Sequence, residues 1–223
     1  MKKLNIYTLF IMFFFIPEVI NCQNQDSIIL GVLMNTEFSY FGVDFRNFYM
    51  IGPKTIDKND SYGFEKKYNS EMVRDGVEEF NNVVTLYRLK QWFKKYNILN
   101  DSRSQFAAMD TFSLRITAYD DYMQLTNTDI DNVLKCVKIR EEKGYGFIII
   151  ADNLKFGPKR LTSHYIFFDL STRTMLWHEK IEIKPSGASD LEKIIFEGLL
   201  KSIKFYLDSY YKPEFNKYKL VYQ

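Results

Sequence analysis

Three apolar runs of strand length follow one another between residues 144 and 183, and short polar loops separate them. The runs are GYGFIIIADNL, LTSHYIFFDL and MLWHEKIEI, and the loops between them contain KFGPKR and STRT. β-Branched and aromatic residues dominate the runs, whereas the loops are rich in turn-forming residues. This pattern predicts an antiparallel meander of three strands.

The strands of this meander are apolar on both faces. In the second run, Tyr165 and Phe167 alternate with Ile166 and Phe168, and the first run has the same property. A strand that is apolar on both sides has to be covered on both sides. We therefore expect either helices on both faces of the sheet, or helices on one face and an interface on the other.

The spacing of apolar residues predicts the remaining elements. Loops are expected at 35–42 and 97–109. Strands are predicted at 27–34, 43–51 and 111–119, and helical spacing extends over 64–96. A further helix is predicted to be capped by Asn127 or Thr128 and stopped by Gly144. The last predicted helix starts in a capping box at 189–192 and ends before Pro213. The order predicts an α/β (α+β) single domain, with a mixed, mostly antiparallel sheet of about five to six strands and about three helices packed on it.

The first residues have the pattern of an export signal. Lys2 and Lys3 precede the short apolar run LFIMFFFI, which a proline ends. The run is too short to span a bilayer. The sequence thus predicts a signal peptide over 1–22, one domain over 23–212 and a C-terminal tail over 213–223. The predicted location is exported: periplasmic, associated with the outer membrane, or secreted.

Cys22 leaves two routes of processing open. The VINC stretch resembles a lipoprotein processing site, in which Cys22 becomes the acylated first residue and anchors the chain to a membrane. Asn21 fits that site poorly, and ordinary cleavage after Cys22 would leave Gln23 first. The other cysteine, Cys136, has no activating base near it in the sequence, so we interpret it as a packing residue.

Composition and charge exclude several classes of function. The 223 residues are 46% hydrophobic, which is enough for one core. The formal net charge is +2, and no acidic or basic block occurs anywhere. Because a nucleic-acid groove needs Lys and Arg concentrated on one face, we expect no nucleic-acid partner.

The two histidines lie on predicted strands. Pairing through the STRT turn would place His178 opposite Ile166 and His164 opposite Lys180, so both rings would share a sheet face. Their spacing offers no metal site, and GxSxG, GxxxxGK[ST] and GxGxxG are absent. We therefore predict neither a metal nor a cofactor, and a histidine pair that is more simply structural than catalytic.

Carboxylates at predicted strand ends are the remaining catalytic candidates. Asp121 follows one strand, and Asp152 and Asp169 lie near the ends of the first two strands of the meander. Such acids can converge on a cleft and act with His164 or His178 as an acid and base pair. Turn and cap duty explains each of them more simply, because Asp is a preferred turn residue.

Four stretches carry a resemblance to a known group of proteins. They are DFRNFYMIG at 44–52, FNNV at 80–83, KGYGFIIIADNLKFGPKR at 143–160 and YIFFDLSTRTML at 165–176. They resemble a family of uncharacterised exported Bacteroidetes proteins, most specifically through the FFD-x-x-T motif of the meander. The resemblance implies an exported α/β domain and no assigned activity. The element order is also similar to TolB amino-terminal and curli-secretion types of envelope lipoprotein domain, at the level of fold alone.

These observations support three hypotheses about function. The first is an exported, non-enzymatic protein of the cell envelope, a binding or assembly module with an unknown envelope protein as its partner. The second is an exported hydrolase that uses the strand-end carboxylates with a histidine. The third is a binder of a small apolar ligand held between helix and sheet.

Overall fold

The structure is a computed structural model, and it describes residues 29–34, 37–52, 80, 86–93, 97–100, 115–139, 143–185 and 191–222. The strands are β1 (Glu37–Asp44), β2 (Tyr49–Gly52), β3 (Asn97–Asn100), β4 (Arg115–Ala118), β5 (Tyr145–Lys155), β6 (Arg160–Asp169) and β7 (Met175–Ile183). The helices are α1 (Leu86–Trp92), α2 (Asn127–Cys136), α3 (Leu191–Tyr206), a π-helix (Leu207–Tyr211) and α4 (Lys212–Tyr222). Residues 29–34 form a helical turn in a separate unit.

Strand β5 is the centre of the sheet. Its whole length pairs antiparallel with β6, which pairs antiparallel with β7. Because β6 occupies one edge of β5, both β1 and β2 lie along the other edge, each parallel to β5. Strand β3 continues the sheet beyond β1, and β4 continues it beyond β2. The turn between β1 and β2 is therefore held beside the middle of the sheet.

The α+β class predicted from the sequence is confirmed. All seven described strands form one mixed sheet with helices packed on it. Four of the six pairings are parallel, and the two antiparallel pairings of the predicted meander are the longest. Parallel neighbours need crossover connections, and the sequence pattern did not show which strands such connections join.

Helices cover both faces of the meander, which is the first of the two arrangements that its apolar pattern allowed. On one face, α2 packs Ile130, Val133 and Leu134 against the apolar residues of β5 and β6, which are Ile148, Ile150, Ile166 and Phe168. On the other face, α3 contacts β6 and β7. There, the Tyr206 ring stacks on Tyr165 with ring centroids 4.6 Å apart.

The π-helix adjusts the phase of the C-terminal helix against the sheet. In an α-helix of 3.6 residues per turn, residues five apart point roughly 140° away from each other. The wider π turn brings Tyr206 and Tyr211 to the same side, where both rings contact Trp177 at 5.8 and 6.0 Å between centroids. Both tyrosines consequently join one buried aromatic layer.

Four predictions of local structure are wrong. Residues 29–34 are helical although a strand was expected, because a short apolar run does not distinguish a buried strand from a helix. The expected loops at 35–42 and 97–109 contain most of β1 and all of β3. The last helix does not end before Pro213, since Pro213 lies in the first turn of α4, where a proline is tolerated.

Some predictions fall outside the described residues. These are the signal peptide with Cys22, most of the helical spacing over 64–96, and the first half of the capping box at 189–192. Within the described part of that spacing, α1 is helical. Among the helices that the structure describes, none is long and apolar enough to cross a membrane.

Candidate functional site

A β-bulge in β5 gathers polar side chains on the face that α2 covers. Alternation places Asp152 on the same face as Ile150, which pairs with His164. The bulge between Ala151 and Asn153 then brings Asn153 to that face as well, opposite Thr162. The side-chain amide of Asn153 donates to Asp152 Oδ2 at 3.0 Å, and the Thr162 hydroxyl donates to Asn153 Oδ1 at 3.3 Å.

Four side chains continue this cluster into an uninterrupted series, which we call the acid–histidine chain: Tyr122, Asp152, His164 and His178. The Tyr122 hydroxyl donates to Asp152 Oδ1. Asp152 Oδ2 lies 3.3 Å from His164 Nε2, and His164 Nδ1 lies 2.8 Å from His178 Nε2. The predicted register is confirmed, because His178 pairs with Ile166 and His164 with Lys180.

The contacts fix where the protons lie when both imidazoles are neutral. Asp152 as a carboxylate can only accept, so His164 carries its proton on Nε2 and donates it to Asp152. His164 Nδ1 then accepts from the Nε2 proton of His178, and the lone pair of His178 remains on Nδ1. Every hydrogen bond in the chain thus has one donor and one acceptor.

Burial shifts the pKa values of Tyr122 and His178, at the two ends of the acid–histidine chain. Burial raises the pKa of the Tyr122 hydroxyl, and the hydrogen bond to Asp152 raises it further, so Tyr122 stays protonated. Burial lowers the pKa of His178 to about 4, and electrostatic interactions with His164 and Lys180 lower it too. His178 is therefore neutral at pH 7.

The acid–histidine chain does not form a metal site. The contacts to Asp152 and His178 use opposite nitrogens of His164, so the three side chains do not converge on one point. A metal ion would need several ligands directed at a single position. Among the residues that the structure describes, no group of three His, Cys, Asp or Glu side chains could hold a metal ion.

Access from solvent to the acid–histidine chain is restricted. The exposed fraction is 0% for Asp152 and 1% for His164, whereas Tyr122 and His178 at its ends are partly exposed. The Lys180 ammonium donates to Gln124 Oε1 at 2.8 Å and so ties the segment after β4 to β7. A substrate in solution can therefore reach Tyr122 and His178 at the ends of the acid–histidine chain but not the carboxylate of Asp152.

The lowered pKa of His178 predicts that acid destabilises the fold. The unfolded chain has a His178 pKa near its ordinary value of 6.5 and the folded chain one of about 4. The unfolded state therefore binds more protons between these values, and the free energy of unfolding falls as the pH drops from about 6.5 toward 4. Urea denaturation across this range should show the slope in the native chain and a reduced slope in His178→Gln.

Carboxylates provide a control on that interpretation. Asp169 and Glu182 also have lowered pKa values, but their ordinary values are 3.8 and 4.5, so their effect begins at lower pH. The range between pH 5 and 6.5 therefore separates His178 from them. An unchanged slope in His178→Gln over this range would contradict the assignment.

The other predicted acids have turn roles. Asp169 closes the β6–β7 turn, since its Oδ1 accepts from the backbone N–H groups of Ser171 and Thr172 at 2.9 and 2.8 Å. Asp121 lies exposed in the turn after β4, where its N–H donates to the Ala118 carbonyl. Asp152 alone of the three faces a histidine, and it lies within β5 and not in a turn.

An open pocket of about 560 Å³ lies beside the sheet, and we call it the arginine pocket. Its lining comes from the β1–β2 turn, the first residue of β4 and one side of α2: Arg46, Asn47, Arg115, Asp129, Asn132, Val133 and Cys136. The sequence did not indicate this site. The one available signal was the pair Asp44 and Arg46, because Asp44 ends a buried strand and a buried carboxylate needs a partner.

The sequence also placed the start of α2 and the environment of Cys136 incorrectly. The N-cap is Thr126, whose side chain forms a capping box with Asp129, so the helix begins one residue before the predicted positions. Cys136 is exposed and lines the arginine pocket, so it is not a packing residue.

Fold and site together define a small α+β protein with a buried acid–histidine chain and a separate open polar pocket. No protein-family model matches the chain, and no curated protein matches it. Among solved structures, it is similar to a lipoprotein from Neisseria meningitidis, with a TM-score of 0.30 and 8% identity over 79% of this chain and 99% of that one. A likeness at this level supports no argument about function, and the resemblance to exported Bacteroidetes proteins stays a prediction.

Proposed function

We propose that this chain is an exported protein of the cell envelope that works as a binding module and catalyses no reaction. One observation carries the proposal: Asp152 and His164, in the middle of the acid–histidine chain, are buried, whereas the open pocket is lined by arginine and carboxamide side chains that can bind a ligand. The arginine pocket contains none of the four members of the acid–histidine chain.

The hydrolase alternative is less well supported. A side-chain nucleophile would have to lie within hydrogen-bond reach of its base. In the part of the chain that the structure describes, no hydroxyl or thiol is hydrogen-bonded to His164 or His178. In addition, a base with a pKa of about 4 is far from the value that suits general-base catalysis at neutral pH.

The apolar-ligand alternative is also less well supported. Val133 is the one aliphatic residue that lines the arginine pocket, and its other lining residues carry charged or polar side chains. An apolar ligand would cover the carboxamides of Asn47 and Asn132 without offering them hydrogen-bond partners, at a cost of about 1–3 kcal/mol for each buried group. The lining therefore favours a hydrophilic ligand.

The envelope location rests on the first residues of the sequence. Lys2, Lys3 and the apolar run that follows them have the arrangement of an export signal. Fractionation of the native host should place a chain without residues 1–22 in the envelope or the medium, and acyl labelling of the native chain beside Cys22→Ser would distinguish the two processing routes. A chain that keeps residues 1–22 in the cytoplasmic fraction would contradict export.

A turnover assay tests the absence of catalysis. Purified chain would be incubated with p-nitrophenyl esters, phosphates and glycosides beside the variants His178→Gln and Asp152→Asn. We expect no turnover above that of the variants, because no substrate reaches the carboxylate. Turnover in the native chain that both folded variants lose would establish the hydrolase and contradict the proposal.

A further inference from the structure

We propose that the arginine pocket binds a small hydrophilic molecule that carries an oxyanion, either a carboxylate or a phosphate. This inference rests on the proposed binding function and names the class of ligand. The evidence is the way in which the fold fixes two guanidinium groups at the pocket and surrounds them with hydrogen-bonding side chains.

Arg46 is fixed in place by a buried carboxylate. Asp44, at the end of β1, is 4% exposed. Its Oδ1 accepts from the Arg46 backbone N–H at 2.8 Å, and its Oδ2 accepts from Arg46 Nε at 2.8 Å and from Nη2. Nη2 also reaches the Val133 carbonyl at 3.5 Å. The guanidinium is therefore already ordered, so a ligand would lose little affinity to side-chain entropy.

Arg115 is held by a tyrosine on the neighbouring strand. The register pairs Tyr49 with Arg115. Arg115 Nη1 donates to the Tyr49 hydroxyl at 2.9 Å, and the guanidinium carbon lies 5.6 Å from the centre of the Tyr49 ring. A cation–π contact at this distance orients the guanidinium plane.

The remaining polar groups suit the rest of a hydrophilic ligand. Asn47 and Asn132 supply carboxamides that can both donate and accept. Because carboxamides both donate and accept, Asn47 and Asn132 can bind ligand hydroxyl groups. The carboxylate of Asp129 is hydrogen-bonded within the helix cap, because its Oδ2 accepts from the backbone N–H and the hydroxyl of Thr126 at 2.8 and 2.6 Å.

Charge and size limit what binds. Two guanidinium groups and one carboxylate line the pocket, and Asp44 forms an ion pair with Arg46. Selection therefore depends on charge-assisted hydrogen bonds from the guanidinium groups to an oxyanion more than on net charge. A volume of about 560 Å³ lies within the range of small-molecule sites.

Cys136 supplies a reporter at the site itself. It is exposed, and it lines the pocket together with Arg46. In a Cys22→Ser chain, Cys136 is the one thiol, because the sequence has two cysteines. The rate at which iodoacetamide alkylates it would be measured with and without inorganic phosphate, D-glucuronate and glucose 6-phosphate, and with glucose as the neutral control.

At a probe concentration ten times its Kd, we expect alkylation to slow about tenfold, because roughly a tenth of the sites remain free. Inorganic phosphate and glucose 6-phosphate test the phosphate source, and glucuronate tests the carboxylate source. The effect should disappear in Arg115→Gln and persist in Arg160→Gln, which removes an arginine at the distant β5–β6 turn. Arg46→Lys, which keeps the charge beside Asp44, should weaken protection without unfolding the chain.

Two results would overturn the inference: protection by glucose equal to that by the anions, or no protection by any anion at millimolar concentration. Protection that survives unchanged in Arg115→Gln would do the same. None of these results bears on export or on the absence of turnover, so the proposed function is tested separately.

Discussion

Replacing Phe147 by alanine lowers the free energy of unfolding by about 3–5 kcal/mol, the usual cost of truncating a buried aromatic residue. Phe147 is the third residue of β5 and is 0% exposed. Six aromatic rings surround it with centroids 4.6–6.5 Å away, namely those of Phe38, Tyr40, Phe93, Tyr165, Phe167 and Tyr206. These rings come from the sheet, the chain after α1, and α3, so the cavity cannot close by moving one element.

Urea denaturation followed by circular dichroism measures this loss, with Phe205→Ala as the matched control. Phe205 lies on the exposed side of α3 and is 46% exposed, so its truncation should change the free energy of unfolding by no more than about 0.5 kcal/mol. Equal losses in the two variants would contradict the placement of Phe147 in the central aromatic layer.

Replacing Asp152 by leucine has the second large effect, a loss of at least about 3 kcal/mol in the free energy of unfolding. Leucine has the same branched shape, with two methyl groups in place of the two oxygens, but accepts no hydrogen bond. The change leaves Tyr122, Asn153 and His164 without the acceptor that they share. Each buried group left unsatisfied costs about 1–3 kcal/mol, and the three losses overlap because they share one partner.

Asp152→Asn should cost less, since it keeps one acceptor oxygen and the shape of the side chain. Asp121→Asn is the matched control, because this carboxylate is exposed in the turn after β4, and its loss should change the free energy of unfolding by no more than about 0.5 kcal/mol. A more stable Asp152→Leu would contradict the structural role, since residues kept at the expense of stability usually serve an activity.

The sequence predicted the parts of the fold that local pattern determines. The register of β6 and β7 follows from a short turn, so the common face of His164 and His178 could be predicted. Asp152 was predicted near the end of its strand, with a turn role as the simpler interpretation. It has no turn role, because the segment after β4 and strand β6 supply Tyr122 and His164 as its hydrogen-bond partners, and these contacts are not local.

The arginine pocket could not be predicted for a related reason. Its residues come from three segments between residues 46 and 136, and they meet because β1 and β2 share one edge of β5. Hydrophobic pattern predicts that strands exist but not which edge each one takes. Asp44 and Arg46 were visible as a charged pair, yet Arg115 became part of the site only through its pairing with Tyr49.

The central claim is that the acid–histidine chain supports the fold while the arginine pocket binds the ligand. Anion protection of Cys136, measured in His178→Gln and Arg115→Gln, tests this claim most directly. Protection retained in His178→Gln and lost in Arg115→Gln is the result that we predict. Protection lost in a folded His178→Gln and retained in Arg115→Gln would contradict it and would place the ligand at the histidines.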